Sequence, residues 1–78
     1  MQILNDKIIL GIDPGTGVMG YGAIHLKERS VNLLGAGIVF LKKESTHPLK
    51  LKKIFERTIQ LIEQYKPDEL AIEAPFFG

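Results

Sequence analysis

Hydrophobic residues fall into four short runs and one helical stripe along the chain. The first run, Lys7 to Asp13, is continuously apolar between its charged ends and rich in β-branched residues, which predicts a strand buried on both faces. Gly20 to Lys27 alternates apolar and polar positions and predicts a second strand. Val31 to Leu41 predicts a third strand, antiparallel to the second through a short hairpin. Within it, Gly35 and Gly37 predict a bulge or a close approach by another backbone.

Apolar residues at steps of three and four predict a helix that follows the third strand. Pro48 suits its first position, where a missing N–H costs nothing, and Pro67 ends it near Tyr65. The expected apolar stripe consists of Leu51, Ile54, Phe55, Thr58, Leu61, Ile62 and Tyr65. Leu70 to Glu73 then predicts a fourth strand that is buried on both faces. The order is β-β-β-α-β. If the first and last strands are neighbours, the helix crosses between them and the two strands are parallel.

Two acidic residues close the two strands that the pattern predicts as buried. Asp13 follows Ile12, and Glu73 follows Ile72. Ligands gather at the carboxyl ends of parallel strands, and two carboxylates there would repel each other unless a hard cation such as magnesium or manganese bound them. The structural alternative is that Asp13 caps its own turn through an Asx hydrogen bond and that Glu73 is an ordinary strand-end acid. The spacing of the two acids leaves both interpretations open.

Composition restricts the class of protein. With 78 residues, 45% hydrophobic and 24% charged, the chain is globular and forms at most one domain. It contains no cysteine, which excludes disulfides and thiolate metal sites. No run of about twenty apolar residues and no signal-peptide pattern occurs, so we expect a cytoplasmic protein that does not associate with membranes.

The net charge of +1 hides a basic segment between Lys42 and Arg57. Lys42, Lys43, Lys50, Lys52, Lys53 and Arg57 stand there against Glu44 and Glu56. The segment is either a solvated loop and outer helix face or an edge that contacts phosphates. Charge alone does not choose between these interpretations.

Two motifs resemble one known family. Residues 9–24, Ile-Leu-Gly-Ile-Asp-Pro-Gly-Thr-Gly-Val-Met-Gly-Tyr-Gly-Ala-Ile, resemble the opening of the RuvC Holliday-junction resolvases, which has a strand, an Asp-Pro-Gly-Ser/Thr turn and a Gly-Tyr-Gly strand. Residues 67–73, Pro-Asp-Glu-Leu-Ala-Ile-Glu, resemble the family's Pro-Asp-x-x-Ala-Ile-Glu strand, and Phe76 follows at the family's spacing. The resemblance runs from Ile8 onward and covers only the N-terminal half of the family's domain.

The resemblance implies an α/β chain with the N-terminal part of a ribonuclease H-like fold, built on a mixed sheet. Residues 1–78 would form a single partial domain, with residues 1–6 as a flexible start. It also implies a homodimeric endonuclease that nicks opposed strands of four-way junction DNA in recombination and repair. Such an enzyme would use two Mg²⁺ ions per site, or Mn²⁺, and would work with a branch-migration helicase.

The resemblance also assigns roles to residues of this chain. Asp13 and Glu73 match catalytic, metal-binding acids, and Phe76 matches an aromatic residue that stacks on bases. We further expect Thr16, in the glycine-rich turn, and Lys50, in the basic segment, to contact DNA. Two further acids of the family lie on a C-terminal helix for which this sequence has no positions. We therefore expect the 78 residues alone to lack useful nuclease activity.

Two departures from the family's pattern concern local DNA contacts. Gly17 stands where an arginine or another polar residue is frequent, which removes a potential phosphate contact. Met19 stands where a threonine is frequent. Neither change affects the two acids, so the expected chemistry is unaltered.

Two alternative functions come from other classes. Residues 11–16, Gly-Ile-Asp-Pro-Gly-Thr, also resemble the first phosphate loop of the actin, Hsp70 and sugar-kinase ATPases. Those proteins lack a nearby Ala-Ile-Glu strand end followed by aromatic residues. The other alternative is a non-catalytic relative of the nuclease fold that only binds branched DNA.

Overall fold

A four-stranded mixed sheet and one helix form the described part of the chain in the computed structural model, residues 6–15 and 17–73. The order β-β-β-α-β confirms the sequence prediction. The elements are β1 (Lys7–Pro14), β2 (Val18–Lys27), β3 (Ser30–Phe40), α1 (His47–Tyr65) and β4 (Glu69–Ile72). Each boundary lies within two residues of its predicted position.

The strand order is β3-β2-β1-β4. Strand β2 is antiparallel to both β1 and β3, whereas β4 is parallel to β1, with Leu10 opposite Leu70. The expected parallel pairing of the first and last strands is therefore confirmed. The carboxyl ends of β1, β3 and β4 consequently lie at one edge of the sheet, because β3 runs in the same direction as β1.

Helix α1 begins and ends with recognisable caps. The Thr46 hydroxyl accepts a hydrogen bond from the Leu49 backbone N at 3.3 Å. At the other end, Lys66 adopts the left-handed conformation with φ 49°, and its backbone N donates to the Ile62 carbonyl at 2.8 Å. Pro67 follows this cap, as the sequence predicts. No helix in residues 6–15 and 17–73 is long and apolar enough to cross a membrane.

The core lies between α1 and one face of the sheet. Tyr65 and Ile62 pack against its margin. The buried residues are Leu10, Ile12, Met19, Ala23, Leu41 and Leu61. The apolar run of β1 thus supplies two core side chains. The opposite face of the strand, which includes Ile9 and Gly11, is only half-buried among the described residues, so the prediction that β1 is buried on both faces is wrong.

Two further burial predictions are wrong. The helical stripe is buried mainly toward its C-terminal end, at Leu61, whereas Leu51 and Phe55 are 64% and 66% exposed in the described part of the chain. Strand β4 is exposed along all four residues, and Ile72 is 58% exposed. The reason is its place at the edge of the sheet, where β1 is its neighbour among the described strands.

The glycines of β3 have the two structural roles that the sequence suggests, with one correction. The pairing of β2 with β3 shifts so that Ala23 faces Gly35 and Ile24 faces Leu33, which confirms a bulge. The close approach is made by side chains rather than by another backbone. The Tyr65 hydroxyl lies over Gly35, and a β-carbon at position 37 would be 2.7 Å from the Tyr21 hydroxyl oxygen.

Candidate functional site

The pairing of β1 with β4 places Asp13 and Glu73 beside each other. Ile12 and Ile72 are direct partners, and the Glu73 backbone N donates to the Ile12 carbonyl at 3.1 Å. Asp13 and Glu73 are the next residues on their respective strands. The predicted meeting of the two acids at one sheet edge therefore agrees with the observed register.

Both acids face the side of the sheet opposite α1. Asp13 and Glu73 line one open cavity of about 810 Å³, together with residues that alternate with the core positions of the strands. Its floor is a row of four small residues, one from each strand in sheet order: Ala36, Gly22, Gly11 and Ala71. Small residues leave backbone and carboxylates accessible from this side, and both acids are exposed.

Hydrogen bonding within the described residues does not use either carboxylate. The side chain of Asp13 accepts no hydrogen bond from residues 6–15 or 17–73, and neither does that of Glu73. The Asx-turn alternative for Asp13 thus receives no support from this part of the chain. As far as residues 6–15 and 17–73 are concerned, the carboxylate oxygens are available to a ligand.

The donor chemistry of the pair fits a hard divalent cation. Both groups are carboxylates, and magnesium and manganese prefer such oxygen donors. Among residues 6–15 and 17–73, no group of three or more His, Cys, Asp or Glu side chains gathers at one place to hold a metal ion. The described residues therefore contribute two ligands toward such a site.

Some cationic side chains of the basic segment have partners within the described part of the chain, and others make no ion pair there. Lys53 Nζ lies 3.4 Å from Glu44 Oε2. Arg57 lies over the ring of Tyr21, 5.7 Å from its centroid, and donates to Gln60 Oε1 at 3.0 Å. The remaining lysines, which make no ion pair within the described part of the chain, are Lys42, Lys43, Lys50 and Lys52.

These cations lie near the edge that carries the acids. The Leu41 backbone N donates to the Gly17 carbonyl at 2.9 Å, which ties the end of β3 to the turn that follows Asp13. Helix α1 starts from the loop after β3, and Lys50 N donates to the Thr46 carbonyl in its first turn. The first turn contains no acidic residue, so the partial positive charge of the helix end is not offset there.

The structure brings some of the predicted site residues together and leaves others undescribed. Asp13 and Glu73 lie on adjacent strands, and Lys50 is half-buried in α1 near the same edge. Thr16 and Phe76 lie outside the described residues. Their expected DNA contacts remain predictions from the resemblance.

One arrangement was missed by the sequence reasoning. The side chain of Lys42 lies against Gly17: a β-carbon at position 17 would be 3.3 Å from Lys42 Cε and 3.8 Å from its Cγ. In the sequence, Gly17 indicates only the loss of a cation, and Lys42 is one member of a basic segment. The antiparallel hairpin of β2 and β3 could have predicted this contact, because it aligns the start of β2, next to Gly17, with the end of β3, shortly before Lys42.

Comparison with known proteins shows which family the chain resembles. The family model described as "Crossover junction endodeoxyribonuclease RuvC" matches residues 9–78. The protein of that name from Cytophaga hutchinsonii is 59% identical over 73 residues, which cover 94% of this chain and 36% of that protein. The chain thus spans about a third of the length of this relative.

Two solved structures show where the fold recurs. Thermus thermophilus RuvC in complex with a Holliday junction substrate superposes with a TM-score of 0.77 at 22% identity, covering 91% of this chain and 46% of that one. The Aquifex aeolicus PPX-GPPA enzyme superposes with a TM-score of 0.71 at 10% identity, covering 90% of this chain and 27% of that one. Likeness at these identities establishes the fold alone.

The mixed sheet, its parallel β1–β4 pair and the helix between them define the N-terminal part of a ribonuclease H-like fold, with two acids at the strand ends. The same sheet occurs in the Aquifex enzyme, so the sequence motifs are needed to choose among proteins that share it. With the family model matched across residues 9–78, the chain belongs to the RuvC family of crossover junction endodeoxyribonucleases.

Proposed function

We propose that the full-length protein is a metal-dependent endonuclease that resolves four-way DNA junctions by paired nicks. The observation that carries the proposal is the register of β1 and β4, which puts Asp13 and Glu73 on one face at adjacent strand ends. The family membership of the chain supports the reaction class, and the named substrate of the Thermus relative supports the choice of junction DNA.

Asp13 and Glu73 would hold Mg²⁺ at the open face of the sheet, with Mn²⁺ as a substitute. Bound divalent ions supply an activated water and stabilise the leaving 3′ oxygen of the cleaved phosphodiester. The two acids act by fixing the position of the cation and by keeping their negative charge directed into the cavity. Because the small residues of the floor carry no bulky side chain, DNA can approach the acids from that side.

The remaining expectations form part of the same proposal. Phe76 stacks on an unpaired base, and Thr16 and Lys50 contact the DNA backbone. The full-length protein acts as a homodimer in the cytoplasm, alongside a branch-migration helicase. The 78 residues alone are inactive because two carboxylates compensate poorly for the charge of two divalent ions.

The deciding experiment is a nicking assay on a synthetic four-way junction with Mg²⁺ and the full-length protein. We expect the wild type to cut opposed strands, and Asp13→Asn to bind the junction but not to cut it. Asp6→Asn is the matched control, since Asp6 is also exposed but precedes β1. Cleavage that survives Asp13→Asn would overturn the assignment of the site.

The same assay separates the alternative functions. Binding of the junction by the wild type without cutting would favour a non-catalytic DNA-binding protein. Saturable ATP binding without affinity for the junction would favour a phosphate loop of the ATPase type.

A further inference from the structure

The side chain of Lys42 takes the space that a side chain at position 17 would otherwise enter. A β-carbon there would come within 3.3 Å of Lys42 Cε, tight enough that the lysine stem would have to move. The backbone is held at the same place, because Leu41 N donates to the Gly17 carbonyl at 2.9 Å. The lysine side chain therefore lies beside Gly17, just before β2 begins.

The turn that connects β1 to β2 begins directly after the acid-bearing end of β1. Asp13 is opposite Gly20 and Pro14 is opposite Met19 in the antiparallel register, so the turn rises from the same edge as the acids. A cation beside Gly17 is therefore close to the edge where a DNA strand must come to be cut. The glycine at position 17 leaves room for that cation instead of supplying one itself.

Lys42 has no ionic partner among the described residues. Its nearest acidic neighbour along the loop, Glu44, is instead paired with Lys53 at 3.4 Å. Lys42 and Lys43 are both exposed, and the side chain of Lys42 lies beside Gly17. A lysine whose side chain lies beside Gly17 and that makes no ion pair among the described residues suits one kind of ligand here, an oxygen of the DNA backbone phosphate.

We propose that Lys42 is a phosphate-binding residue that positions the DNA backbone beside the acid pair, and that Gly17 admits its side chain. The inference rests on the proposed function, because it names a contact made by the same substrate at the same edge. Under this proposal, Lys42 in the loop after β3 supplies the positive charge that position 17 lacks.

The test measures the affinity of the full-length protein for a synthetic four-way junction as a function of salt, in a buffer without divalent ions. Lys42→Gln should weaken binding by about tenfold and should lower the slope of log K against log salt by about one. Lys43→Gln is the matched control, with the same charge change one residue away, and should leave the slope nearly unchanged.

A double variant replaces the cation of Lys42 by one at position 17. Gly17→Arg combined with Lys42→Gln should recover most of the lost affinity and slope, since the guanidinium would start from the position that Lys42 now covers. Thermal unfolding of each variant checks the fold, and because Lys42 is exposed we expect its midpoint to remain that of the wild type.

The outcomes separate the two proposals. If the wild type binds and cuts the junction but Lys42→Gln behaves like Lys43→Gln, the inference is wrong and the proposed function stands. If Lys42→Gln loses slope but Gly17→Arg restores nothing, the role given to Gly17 is wrong. If the wild type has no affinity for the junction, the proposed function fails and the inference fails with it.

Discussion

Asp68 forms hydrogen bonds with both the backbone N–H and the carbonyl of Ile8. Its carboxylate Oδ2 accepts from the Ile8 backbone N at 2.8 Å, and its own backbone N donates to the Ile8 carbonyl at 2.8 Å. These two bonds attach the segment before β4 to the start of β1. They support the register that, five residues later, brings Glu73 beside Asp13.

We predict that Asp68→Ala destabilises the full-length protein by about 1 kcal/mol, since one backbone donor loses its partner at an exposed position. Asp68→Asn retains a side-chain oxygen acceptor and is the control. Urea unfolding monitored by circular dichroism measures both. Equal midpoints for Asp68→Ala and the wild type would contradict the prediction.

The cleavage reaction should depend on a divalent cation held in part by Glu73. We expect a chelator to abolish junction cutting and Mg²⁺ or Mn²⁺ to restore it. Glu73→Gln should slow cutting by about 100-fold or more, because loss of groups that merely orient metal ligands already costs about 10–100-fold. Glu69→Gln, on the same strand, should cut at nearly the wild-type rate, and a similar loss in both variants would contradict the role of Glu73.

The bulge region of β3 should not tolerate a side chain at position 35. Gly35→Ala would push its β-carbon into the Tyr65 hydroxyl and is expected to cost about 1–3 kcal/mol in the free energy of unfolding. Adding Tyr65→Phe should recover part of this loss, since it removes the oxygen while the ring stays at 3.1 Å. Gly22→Ala serves as the control, because its β-carbon would meet only the Gly35 carbonyl oxygen at 4.0 Å.

The ion pair between Lys7 and Glu69 predicts a small alkaline dependence of stability. Lys7 Nζ donates to Glu69 Oε2 at 2.7 Å, and this bond, together with the carboxylate charge, raises the pKa of Lys7 above its ordinary 10.5. Because the pKa is higher in the folded state, the stabilisation is full below 10.5 and is lost as the pH rises through the folded value.

Unfolding by urea across this alkaline range tests the Lys7 prediction. Glu69→Gln should show a shallower alkaline decline in stability than the wild type. Glu63→Gln, a substitution on α1, should follow the wild-type curve. The effect is expected to be small, because both partners of the ion pair are largely exposed to water.

Local patterns were sufficient to predict the elements and the acid pair. Strand and helix periodicities depend on which neighbouring residues face the core, so the run before Asp13 and the stripe ending at Tyr65 could be recognised without the fold. Thr46 was not predicted as the cap, although Pro48 correctly marked the first turn of α1. Parallel pairing of β1 and β4 was predicted only on the condition that the two strands are neighbours, and the fold meets that condition.

The amino-acid pattern alone was enough to predict the order of the elements and the placement of Asp13 and Glu73 after two apolar strands. Which residues are buried depends on the three-dimensional packing: Leu51 and Phe55 continue the helical stripe, yet both are exposed in the described part of the chain. The packing also places the side chain of Lys42 beside Gly17, while Lys53 pairs with Glu44. The reason is that such contacts join segments far apart in the chain, and neither periodicity nor local charge records which distant segment will be the neighbour.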